Sequence, residues 1–72
     1  MYLSKGEYSQ FSLKGRLNLL QEFGTLINEK YVNEIKITLY LLYDFYVEVI
    51  YDNDSIVKAE PVKNEGMLHY YV

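Results

Sequence analysis

Between Ile35 and Tyr51 an apolar side chain recurs at every second position: Ile35, Ile37, Leu39 and Leu41, then Phe45, Val47, Val49 and Tyr51. A period of two is that of a pleated strand, whose successive side chains point to opposite sides, so the run reads as two strands sharing an apolar face. With so short a connection the two form an antiparallel hairpin. Keeping all eight residues on one face selects the loop. Three residues, Leu42-Tyr43-Asp44, pair Leu41 with Phe45 and Ile37 with Val49, whereas a two-residue turn at Tyr43-Asp44 sets Ile35, Ile37 and Leu39 opposite the polar side. The three-residue loop is expected, with Asp44 in the left-handed conformation that Asp tolerates better than most residues.

Upstream the period changes. Leu13, Leu17, Leu20, Gly24 and Ile27 follow the i, i+4, i+7 spacing of one helix face, with Phe23 beside it, which predicts an amphipathic helix over 12–29 capped by Ser12 or Ser9. Gly24, on that stripe, is expected to let the helix approach the sheet closely. Leu19 and Leu26 flank the stripe and widen it beyond what one small sheet needs. Downstream, Asp52-Asn53-Asp54-Ser55 has turn composition, and Ile56 to Glu60 reads as a third strand ended by Pro61. The expected whole is one α+β domain over 1–72. An N-terminal segment (1–11) precedes one amphipathic helix packed on a three-stranded antiparallel meander (34–62), and 63–72 form a C-terminal turn or short helix.

At 72 residues such a domain removes only about 60% of its unfolded surface from water, so apolar burial and ordering entropy nearly cancel. Small domains escape this margin with disulfides, metals or partners. Cysteine is absent and the single histidine is His69, so neither a disulfide nor a Cys/His zinc site is expected, and no cofactor. A partner subunit is the remaining device, which points to a homo-oligomer, most simply a dimer. Net charge is −3 with seven scattered basic residues, a poor match to nucleic acid, which needs clustered cations. The longest apolar stretch, Ile37 to Tyr51, is too short to span a bilayer and is broken by Asp44 and Glu48. Without a signal-like N-terminus the expected compartment is the cytoplasm.

Chemistry-bearing motifs are sparse. A Ser/His/Asp arrangement has only His69 to recruit, close to the end of the sequence, and Glu48 with Asp52 or Glu60 reads as solvated acid on a sheet face, so no catalytic residue is expected. Asp52-Asn53-Asp54 opens like a calcium loop, but the positions that need glycine and glutamate hold Val57 and Lys63. Asn53-Asp54-Ser55 fits a glycosylation triplet that a cytoplasmic chain does not use, and the glycines are too dispersed to cradle a phosphate.

Nine tyrosines are the compositional oddity. In the register above, the second sheet face carries Lys36, Thr38, Tyr40, Tyr46, Glu48 and Ile50. Tyrosine buries a large area yet keeps a polar tip, so this face is either a solvated surface, a covered interface or a platform for a small ligand or nucleotide at Tyr40 and Tyr46. Leu19, Leu26, Tyr40, Tyr46 and Ile50 are the candidate interface residues.

Leu19-Leu20, Gly24-Thr25-Leu26-Ile27, Leu39-Tyr40 and Phe45-Tyr46-Val47-Glu48-Val49 together resemble a group of small uncharacterised bacterial proteins of about this length. The likeness spans residues 13 to 52 and departs from the group's pattern at Asp44, where glycine is expected. It implies a compact cytoplasmic α+β fold and no activity or site residues to carry over. The sequence therefore reads as a non-enzymatic interaction or structural module that self-associates, with small-ligand binding as the alternative.

Overall fold

The structure is a computed structural model that describes residues 3–63. It opens with a helix that hydropathy did not reveal, α1 (Lys5–Ser9). Its start is a reciprocal cap: the Ser4 hydroxyl accepts the Glu7 amide at 3.2 Å, and the Ser4 amide donates to the Glu7 carboxylate at 3.0 Å. The Ser4 amide, and after it the hydroxyl, holds the Glu7 carboxyl below its ordinary pKa. The Ser4-Lys5-Gly6-Glu7 spacing was the available signal for this helix.

The second helix, α2 (Leu13–Phe23), begins as expected, with the Ser12 hydroxyl accepting the Gly15 amide. It stops at Phe23 rather than Glu29, because Gly24 turns to extended backbone (φ −84°, ψ 156°) while its amide still donates to the Leu20 carbonyl at 2.9 Å. Residues 25–29, expected in the helix, instead open β1 (Thr25–Val32). Thr25 and Ile27, branched at Cβ, suit a strand better than a helix. A bulge between Leu26 and Asn28 breaks the two-residue alternation, so the strand carries no clean period.

Gly24 is thus a cap and not a point of helix-on-sheet packing. A Cβ added there meets the Leu20 carbonyl oxygen at 2.6 Å. Gly24→Leu is expected to cost about 1–3 kcal/mol through this clash, lowering the thermal midpoint by about 4–8 °C per kcal/mol in a domain this small. An unchanged midpoint in a calorimetric scan would contradict the close approach.

Three further strands, β2 (Ile35–Leu42), β3 (Phe45–Asp52) and β4 (Ser55–Pro61), complete an antiparallel sheet of order β1-β2-β3-β4. The expected meander is present with one more strand. Its central register differs from the expected one: Leu42 pairs with Phe45 and Ile37 with Ile50, across a two-residue turn at Tyr43-Asp44. Tyr43, not Asp44, takes the left-handed conformation (φ 56°). An aromatic residue there is strained, and its ring is held by stacking on Phe23, with centroids 6.1 Å apart. Asn33, Asn53 and Asp54 supply the positive φ angles of the other two turns, as their short polar side chains allow.

Both helices lie on one side, α1 against β4 and α2 against β4 and β2. Between them and the sheet sits the core of Leu3, Tyr8, Leu20, Leu42, Phe45, Val47, Val49 and Ala59. The half-buried Arg16 guanidinium fastens this layer by donating to the carbonyls of Ser9 (2.8 Å) and Ala59 (3.3 Å). Of the C-terminal turn or short helix expected over 63–72, all beyond Lys63 lies outside the described residues.

Candidate protein interface

Residues opposite one another on antiparallel strands share a face, so the register sorts every side chain. On the helix side are Lys36, Thr38, Tyr40 and Leu42 of β2 with Phe45, Val47, Val49 and Tyr51 of β3. On the other side are Ile35, Ile37, Leu39 and Leu41 with Tyr46, Glu48, Ile50 and Asp52. The sequence reading of β3 holds, and that of β2 is reversed. The physical reason lies in the turn: with two loop residues and Tyr43 left-handed, Lys36, Thr38, Tyr40 and Leu42 face the helices, although Ile35, Ile37, Leu39 and Leu41 are the more apolar alternation.

The face that no helix among the described residues covers is therefore apolar along β2 and mixed along β3, where Glu48 lies between Tyr46 and Ile50. Its apolar members are Ile35, Ile37, Leu39, Leu41, Tyr46 and Ile50, joined by Val32 from β1, which pairs with Ile35. Val32 is 46% exposed and Ile35 36%, Ile37, Leu41, Tyr46 and Ile50 are half-buried, and Leu39 is buried. Polar groups lie along its two margins. Asn28 and Lys30 of β1 border one side. On the other, the Lys58 ammonium lies between the Glu48 carboxylate (3.5 Å) and that of Glu60 (3.6 Å). Apolar residues bordered by polar ones are the anatomy of a protein interface.

The five candidate interface residues do not fall on one surface. Tyr46 and Ile50 sit on the helix-free face. Tyr40 and Leu19 pack, partly buried, against the core on the helix side. Leu26, 49% exposed, pairs with Tyr40 on that same side. Tyr40 and Tyr46 thus point to opposite sides of the sheet, which removes the shared tyrosine platform. The residues that sequence reasoning missed are Ile35, Ile37, Leu39 and Leu41, which it assigned to the core.

Tyr40 instead lines a cleft of about 300 Å³ between α2 and the sheet, with Leu17, Leu20, Gln21, Val49, Tyr51 and Ile56. Burial, and next the neighbouring Tyr51, push the Tyr40 hydroxyl above its ordinary pKa, so it stays protonated at neutral pH. The Lys36 ammonium lies 4.5 Å above the Tyr51 ring.

Among the described residues no group of three or more His, Asp or Glu side chains is placed to hold a metal, and no helix is long and apolar enough to cross a membrane. His69 lies outside them. No family profile, curated protein or solved structure matches the chain.

Proposed function

We propose that this protein is a non-enzymatic interaction module of the bacterial cytoplasm that acts by self-association, with the helix-free face of its sheet as the contact surface. The supporting observation is that Ile35, Ile37, Leu39 and Leu41 of β2, with Tyr46 and Ile50 of β3, lie on the side of the sheet that no helix among the described residues covers. Strands that end up buried on both faces carry near-continuous apolar runs; a sheet face left to water alternates to polar residues. Sedimentation velocity over a micromolar dilution series tests the reading. The expected result is a species of twice the chain mass that dissociates on dilution, and a single-chain mass at every concentration contradicts it.

The cleft at Tyr40 and Tyr51 favours a second reading, a site for a small planar ligand, since its size is at the lower end for such pockets. Saturation-transfer NMR against a panel of nucleotides, reporting on the Tyr40 and Tyr51 rings, separates this reading from the first.

A further inference from the structure

We infer that residues 64–72 of the same chain lie across the helix-free face, seated over Leu39, and that a second copy has to displace them to dock there; the competition, though not the cover, rests on the self-association reading.

Leu39 carries the inference. It belongs to an inner strand, between Asn28 of β1 and Glu48 of β3, on the side away from the helices, yet it is only 3% exposed. Side chains stand roughly perpendicular to a sheet, so neighbours within the sheet close a residue's flanks and leave its tip to whatever packs on that face. Both helices pack on the other side. The atoms above Leu39 therefore belong to residues outside 3–63. Residues 1–2 precede Leu3, which is buried in the core on the helix side, and two residues span at most about 7 Å. That is too short a reach around the sheet, which leaves residues 64–72. A second copy is not what hides Leu39, because it is buried within one chain.

The chain leaves the sheet at the corner this cover needs. The Val62 amide donates to the Tyr46 carbonyl at 2.9 Å, carrying the β3–β4 ladder one residue past Pro61. Pro61 pairs with Val47 on the helix side, so Val62 falls on the helix-free side beside Tyr46. From Val62, Leu39 is two strands across and two residues along, roughly 12 Å, and the nine following residues span roughly 30 Å when extended. Asn64-Glu65-Gly66 has turn composition, and Met67-Leu68-His69-Tyr70-Tyr71-Val72 is apolar or aromatic except at His69. Of its two alternations, Leu68, Tyr70 and Val72 is the one without the histidine, and it is the one set toward Leu39. Burial fades with distance from the corner: Ile35, at the far end of β2, is 36% exposed.

A fifth strand beside β4 is the alternative course. The alternation that turns the Val62 amide inward to β3 turns the backbone of Ala59 and Pro61 outward to the free edge. Pro61 has no amide to give, and the Ala59 carbonyl already accepts Arg16 at 3.3 Å. A strand there also lies three spacings from β2 and leaves Leu39 uncovered.

In labelled protein diluted into a large excess of unlabelled protein, nuclear Overhauser contacts between labelled groups arise within one chain, and they are expected between the Leu39 methyls and Leu68 or Tyr70. In the full chain carrying Leu68→Asp and Tyr70→Asp, at a concentration where the single chain prevails, a paramagnetic cosolute is expected to broaden the Leu39 methyls severalfold more than in the wild type. The dimer dissociation constant is expected to fall about 10-fold, because the face no longer has to be opened first. Tyr71→Asp, on the other alternation, should leave both readouts as they are. Should the double variant lose its fold, Leu68→Ser reads the same contact in a milder form. Absence of the intrachain contact, with Leu39 equally shielded in wild type and variant, would overturn the cover and leave self-association standing. The contact together with a single-chain mass for both proteins would uphold the cover and overturn the self-association reading.

Discussion

Val47→Asp unfolds the domain at room temperature, whereas Glu48→Gln, one position along, leaves it folded with its melting temperature shifted by no more than a few degrees. The contrast follows from the pleat. Val47 is fully buried beneath the helices, in contact with the core built on Tyr8 and Leu20. A carboxylate there is placed within the apolar core, and its desolvation is comparable to the whole stability of a domain this small. Glu48 points to the opposite side, and the amide loses its charge toward Lys58, 3.5 Å away and partly exposed, an interaction of about 0–1 kcal/mol. Far-ultraviolet circular dichroism of the two variants decides the matter. A folded Val47→Asp would mean that the faces of β3 are exchanged.

Tyr8→Ala is expected to cost about 3–5 kcal/mol, the range for emptying a buried aromatic site, and Tyr8→Phe about 1 kcal/mol or less. Helix α1 has only five residues, too few to persist by propensity. It is held by Tyr8, which is fully buried and meets the Phe45 ring edge-on at a centroid distance of 5.8 Å. The hydroxyl contributes little, because its hydrogen bond to the Arg16 carbonyl is long, at 3.4 Å. Burial pushes the Tyr8 pKa upward, so the group remains neutral over the accessible pH range. Urea titrations of the two variants give both values. Equal losses would assign the role to the hydroxyl and not to the ring.

The parts of the fold legible in the sequence are those where one period dominates. The alternation in Phe45–Tyr51 places β3 and its inward face, and Ser12 with Leu13, Leu17 and Leu20 places the start and face of α2. What could not be read has a definite cause in each case. The short α1 has too few residues for a period and is marked only by its Ser4–Glu7 cap. The strand β1 hides because its bulge and its exposed edge position remove the alternation. The β2–β3 register turns on a left-handed Tyr43, which composition disfavours and which stacking on Phe23 supports. That single-residue change in loop length moves Ile35, Ile37, Leu39 and Leu41 from the core to the helix-free face. The interface follows from it: Tyr46 and Ile50 remain candidates, while Tyr40 and Leu19 join the core.

Isotope-filtered NMR on a mixture of labelled and unlabelled protein at a concentration that favours the dimer tests the central claim most directly. Self-association through the helix-free face yields intermolecular contacts that involve the methyl groups of Ile37, Leu41 or Ile50. A dimer whose only intermolecular contacts involve Leu26, Ile27 or Tyr31 of β1 would contradict it.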